Sequence, residues 1–158
     1  MRYFLIDKVI EVKPGERAKG VKCVTLSDEI LHDHFPDYPV MPGVLILESL
    51  AQLAGFLLET SLNKAEAPLR RALLAQVQQA KFHEMAGPGD RLDLEVSIES
   101  TLEGAAQVTG EARVGDKKVV RALLTFVMKE IPSERVHEQR RYVYGLWTKD
   151  LKPPPRIL

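Results

Sequence analysis

His34-Phe35-Pro36-Asp37-Tyr38-Pro39-Val40-Met41-Pro42-Gly43-Val44-Leu45-Ile46-Leu47-Glu48-Ser49-Leu50-Ala51-Gln52 leads without a break into Leu53-Ala54-Gly55-Phe56-Leu57-Leu58. The second part decides the fold. From Val44 onward the apolar residues point in almost every direction around a helical axis, and a helix apolar all round is buried all round. Pro42-Gly43 opens it, since a proline in the first turn forfeits only an amide that has no helical partner. The pattern predicts about five turns, ending near Leu62. The greasy run Val44–Leu58 is shorter than the ~20 residues of a bilayer span and carries Glu48 and Gln52, so no membrane span is expected.

On either side of this helix the chain reads as strands. Tyr3–Val12 is rich in aromatic and branched residues and stops at Pro14-Gly15; Arg17–Leu26 follows it. Residues 27–42 hold Pro36, Pro39 and Pro42 with little periodicity, and a loop of that length in a compact domain is often functional. Beyond the helix, Arg71–Phe82 is one strand. Leu92, Leu94, Val96 and Ile98 alternate with polar residues, as do Ala106, Val108, Gly110, Ala112 and Val114. Such a period of two marks strands with one buried face. Val119–Met128 is apolar on both faces, which fits a central strand. Glu103-Gly104 and Gly115-Asp116 supply hairpin turns. The expected fold is α+β, an antiparallel sheet curled around one long buried helix. The sheet and helix occupy residues 1–130. A charged tail over 131–158 is expected to be helical from Ser133 to Trp147 and to end at Pro153-Pro154-Pro155.

The chain of 158 residues has 22 Lys plus Arg against 22 Asp plus Glu. A net charge of zero argues against a general nucleic-acid binder, which needs surplus cations against phosphate. A single cysteine, Cys23, forbids an intrachain disulfide and suits a reducing cytoplasm. Asp7 interrupts the N-terminal apolar residues before a signal peptide could form.

Three features carry chemistry. Glu48 lies one and a half turns into the apolar helix, on the same face as Gln52 at i+4. Desolvation there is expected to raise its pKa and suit it to act as a general acid, although a glutamate that reaches solvent or ties helix to loop fits the pattern equally well. His34, in the proline-stiffened loop, is a candidate general base; read alone, it fits a hydrogen-bonded loop histidine better. The first amides of the helix, at Gly43 and Val44, lack helical acceptors, and the helix dipole favours a developing negative charge there. His32-Asp33-His34 has no third ligand at a convincing spacing, so no metal site is expected.

Together these residues closely resemble the β-hydroxyacyl-acyl-carrier-protein dehydratases of the FabZ and FabA type. His34, Pro39-Val40-Met41-Pro42-Gly43-Val44, Glu48 and Gln52 fall on that family's pattern without a gap. Ala80-Lys81-Phe82, Pro88-Gly89-Asp90, Ile6-Asp7-Lys8-Val9 and Pro14-Gly15 match its other landmarks, so the likeness covers roughly residues 1–130. The resemblance implies the hotdog fold. It implies His34 as the base that removes the α-proton of a (3R)-3-hydroxyacyl thioester, and Glu48 as the acid that helps the hydroxyl leave. The Gly43 amide would polarise the thioester carbonyl, with Val44 and Gln52 in the substrate site. It implies no metal or redox cofactor, an acyl carrier protein as partner, and a homodimer, or a trimer of dimers, in which His34 and Glu48 of one site come from different subunits. An acidic carrier calls for a basic patch, for which Arg70, Arg71 and Lys81 are candidates.

The sequence departs from the family at Asp33 and Asp37, where glycine is usual, and two carboxylates beside His34 are expected to keep it protonated. Leu73–Val77 lacks the aromatic residue that often gates the FabZ acyl site. Two other readings stay open: a non-catalytic acyl-binding hotdog module, and a hotdog acyl thioesterase.

Overall fold

The computed structural model describes residues 3–158; Met1 and Arg2, which belong to the expected 1–130 body, lie outside the described residues. The order is β1 (Lys8–Lys13), β2 (Arg17–Cys23), a 3-10 turn at Glu29–Leu31, α1 (Gly43–Leu62), β3 (Arg70–Phe82), β4 (Arg91–Leu102), β5 (Ala105–Val114), β6 (Lys117–Glu130) and α2 (Glu134–Thr148). The strands form one antiparallel sheet in the order β1-β2-β4-β5-β6-β3.

α1 packs across β2 to β6. Leu50, Leu53, Phe56 and Leu57 are fully buried against Leu92, Leu94 and Val96 of β4, Val108 of β5, and Leu124 and Phe126 of β6. Each such side chain contributes about 1.5–3 kcal/mol through burial, which is what holds the helix on the sheet. Two strand glycines let the helix come close: a Cβ on Gly20 would lie 3.3 Å from Leu53, and one on Gly110 3.2 Å from Leu50. At 20 residues, α1 is long and apolar enough by length and composition to cross a bilayer, more than the expected apolar run implied. It serves here as the core helix. Its first turn is not enclosed, however, and Val44 is exposed.

The alternating patterns of β4 and β5 lie where expected, with Leu92, Leu94, Val96, Ala106, Val108 and Ala112 buried. Ile98 is only half-buried, because the β4–β5 register shifts between Ile98 and Ser100 and the strand leaves the core there.

The tail packs on the body. Tyr144 and Trp147 of α2 meet Phe56 of α1 edge-on, with ring centroids 5.0 and 6.4 Å apart. Lys8 of β1 reaches Asp150 at 2.7 Å. Beneath α2 lies a buried polar cluster. Glu59 accepts from Arg71 Nη1 at 2.8 Å, from Tyr144 Oη at 2.9 Å and from the Ala72 amide at 3.0 Å. Arg71 Nε donates to His137 Nδ1 at 3.0 Å. Burial, and then the charge of Glu59, hold the Tyr144 phenol well above its ordinary pKa, so it stays a donor.

Candidate active site

The loop before α1 is pinned at both ends. The Met41 amide donates to the Ala86 carbonyl at 2.8 Å and the Val24 amide to the Asp90 carbonyl at 2.9 Å. Asp90 closes the Pro88-Gly89-Asp90 turn by accepting from the Gly87 amide at 2.8 Å. Within the loop, Phe35 and Tyr38 exchange two backbone hydrogen bonds, each 2.9 Å, around Asp37, which sits at φ 60°.

This frame fixes His34. Its Nδ1 lies 2.7 Å from the Val40 carbonyl, and its ring stacks on Phe35 at 4.3 Å. A carbonyl only accepts, so Nδ1 carries the proton and Nε2 of the neutral ring keeps its lone pair for a substrate. Asp33 and Asp37 are exposed, and the bonded neighbours of His34 are Val40 and Phe35 instead. The expectation that the two carboxylates act on His34 finds no contact to support it.

Glu48 is half-buried, less enclosed than the sequence pattern implied, because its face of α1 lines a cavity while Ile46, Ser49 and Leu50 around it are buried. Its Oε1 accepts from Gln52 Nε2 at 3.1 Å. Gln52 is fully engaged: its Nε2 also donates to the Tyr3 carbonyl at 3.2 Å, and its Oε1 accepts from the Leu5 amide at 3.0 Å. It ties the N-terminal segment to α1 and orients Glu48. Tyr3, which sequence reasoning missed as a site residue, has its phenol pKa raised by burial and then by the charge of Glu48. Its aromatic side chain close to the chain start was the available signal.

At the helix start, the Leu45 and Ile46 amides both bond the Pro42 carbonyl, which leaves the Gly43 and Val44 amides without an intrahelical acceptor. A Cβ on Gly43 would come within 2.7 Å of the Phe82 ring, so glycine is what lets Phe82 rest against this turn. Within one chain the structure gives His34 and Glu48 separate bonded partners, Val40 and Gln52, and no hydrogen bond between them.

The expected basic patch does not form. Arg71 is 2% exposed and bound to Glu59. Arg70 and Lys81 stand 11 residues apart along β3, roughly 36 Å at 3.3 Å per residue.

An antiparallel sheet around one buried helix, entered through a histidine loop, defines a hotdog protein. The FabA-like domain family matches residues 1–123, and the chain belongs to that family, of the FabZ type. The relative named 3-hydroxyacyl-[acyl-carrier-protein] dehydratase FabZ from Caldanaerobacter subterraneus subsp. tengcongensis is 42% identical over 128 residues, covering 81% of this chain and 89% of its own. The protein of the same name from Clostridium acetobutylicum is 42% identical over 124 residues, covering 78% and 86%. Among solved structures, smu.793 from Streptococcus mutans bound to acetyl CoA is similar in fold, with a TM-score of 0.64, 16% identity, and 84% and 96% coverage.

Proposed function

We propose that this protein dehydrates (3R)-3-hydroxyacyl thioesters, carried on an acyl carrier protein, to trans-2-enoyl thioesters in fatty acid biosynthesis. The observation that carries the reading is the His34–Val40 bond, which leaves Nε2 free as a base in the loop that leads into an uncapped helix start; the 42% identity to proteins named as such dehydratases supports it.

His34 Nε2 takes the α-proton. Charge gathers on the thioester oxygen, where the Gly43 amide and the dipole of α1 stabilise it; Val44 presents the neighbouring amide. The bond from the β-carbon to its hydroxyl then breaks, and the hydroxyl leaves as water with a proton from Glu48. Gln52 acts by holding Glu48. His34 and Glu48 meet across a two-fold axis, in a homodimer that pairs through β3. β3 is the terminal strand, with Leu73, Leu74 and Val77 exposed along it. A groove lined by Lys81, His83, Lys118 and Arg121 alongside Glu99, with Lys118 and Arg121 also paired to Glu111, gathers the cations that would face the acidic carrier. Lys81 and His83 flank Phe82, whose ring rests on Gly43.

The test supplies 3-hydroxyacyl carrier-protein thioesters and follows both enoyl product and free thiol. Enoyl product without thiol supports the proposal. Thiol release would mean a thioesterase, and no product from any chain length or carrier would mean a non-catalytic acyl-binding module.

A further inference from the structure

The segment before β1 has no regular structure, yet it is held in two places. The Asp7 amide donates to the Val21 carbonyl at 2.8 Å, and Asp7 Oδ2 accepts from the Cys23 amide at 2.6 Å. Further up the segment, the backbone meets Gln52 of α1. The Leu5 amide donates to Gln52 Oε1 at 3.0 Å, and the Tyr3 carbonyl accepts from Gln52 Nε2 at 3.2 Å. Leu5 and Ile6, between the two fixed places, are buried.

These contacts decide which way round the Gln52 amide lies. A backbone amide only donates and a backbone carbonyl only accepts. Reversing the Gln52 amide would set its NH2 against the Leu5 N–H and its oxygen against the Tyr3 carbonyl. Nε2 is therefore the end that faces Glu48, and its remaining N–H is donated to Glu48 Oε1 at 3.1 Å. The Gln52–Glu48 pair alone does not dictate this, since a protonated carboxyl can equally donate to a glutamine oxygen. In that reversed pairing the acid's proton would be tied up on Gln52. In the arrangement present, Oε1 is occupied as an acceptor, so a proton on Glu48 belongs on Oε2.

We propose that Tyr3 and Leu5 are positioning residues, whose backbone groups lock the Gln52 amide so that the proton Glu48 delivers sits on Oε2, free for the leaving hydroxyl. The inference rests on the dehydratase reading, in which Glu48 is the acid. The bond from Oε2 to its proton breaks as that proton joins the hydroxyl oxygen. The pair of the breaking carbon–oxygen bond leaves with the water, and the pair freed at the α-carbon closes the double bond. Glu48 is left as a carboxylate whose Oε1 still accepts from Gln52 Nε2. That hydrogen bond strengthens as charge forms on Glu48, so it favours the transition state over the bound substrate.

The experiment measures kcat and KM for a 3-hydroxyacyl carrier-protein thioester in a protein with an ester in place of the Leu5 amide, which keeps the leucine side chain and removes only the N–H. Gln52→Met, similar in length and without an amide, carries the same comparison if the ester protein does not fold. In each, kcat is expected to fall by about tenfold or more with KM unchanged, the scale of a misaimed group. Made again in Glu48→Gln, the same changes bring no further fall in the residual rate, because the group they aim is gone. An equal fold loss in both backgrounds means a structural role and overturns the proposal. So does a wild-type kcat in either folded variant. Hydrogen exchange of the 15N-labelled Gln52 side-chain amide, followed by NMR, reads the lock without turnover. Both of its protons are expected to be protected in the wild type and to exchange faster in the ester protein; rapid exchange in the wild type denies the lock. Should the wild type dehydrate no thioester, the dehydratase reading fails by itself, and the exchange alone decides whether the segment before β1 locks Gln52.

Discussion

His34 and Val40 close on each other twice. The His34 ring nitrogen Nδ1 meets the Val40 carbonyl at 2.7 Å, and the Val40 amide donates to the His34 carbonyl at 2.8 Å. The loop thus sets the tautomer and aim of the ring before any substrate arrives. His34→Ala is expected to keep the fold, since the ring is only half-buried, and to lower turnover by about 10²–10⁴, the usual worth of a positioned base. Circular dichroism alongside the rate measurement separates that loss from unfolding.

Asp37 holds φ at 60°, in the left-handed region that asparagine, aspartate and glycine enter most readily. Asp37→Gly is therefore expected to be nearly neutral. Asp37→Ala should destabilise by about 1 kcal/mol, read from the urea midpoint. If alanine is as stable as aspartate, the turn is not constrained in this way.

A shared site predicts complementation. Inactive His34→Ala and inactive Glu48→Gln, mixed with subunit exchange, form heterodimers with one doubly damaged and one intact site. Random pairing makes about half the dimers mixed, so roughly a quarter of wild-type activity returns. Verified exchange with no recovery would place each site within one chain.

The buried pair under α2 makes its own prediction. Arg71→Met removes the main partner of Glu59 from a pair whose side chains are both 3% exposed, and should cost about 3–5 kcal/mol in denaturant titration. Adding Glu59→Gln, which keeps an acceptor for the Ala72 amide, should recover part of that loss. A double variant as unstable as the sum of the singles would deny the coupling.

Tyr144 sets the sign of an alkaline effect. Its phenol pKa is raised in the fold, so the neutral form is favoured and its contribution is complete below the ordinary value of 10.0. That contribution is lost as pH rises beyond 10.0 toward the folded value. Tyr144→Phe should be less stable near neutrality and should lose less stability than wild type above pH 10.0. Parallel pH–stability curves for the two proteins would contradict this.

Much of the fold was legible because its signals are local. The mainly apolar run Val44–Leu58 specified a core helix, and the alternation in β4 specified which side chains face it. The tail's contacts were not legible: Arg71 reads as a surface cation until Glu59, 12 residues earlier, and His137, 66 later, are seen to accept its hydrogen bonds. The site divides the same way. His34, Gly43 and Glu48 stood out by residue type and spacing. The role of Gln52 as a clamp on Tyr3 and Leu5 depends on a contact across 47 to 49 positions, which no local pattern encodes.

The most direct measurement is the rate of enoyl formation from a 3-hydroxyacyl carrier-protein thioester by Glu48→Gln against wild type. The substitution keeps the shape of the side chain and removes its acid. A fall of about 10²–10⁴ with an unchanged circular dichroism spectrum is the predicted result. Near-wild-type turnover by a folded Glu48→Gln protein would assign Glu48 to structure and contradict the mechanism.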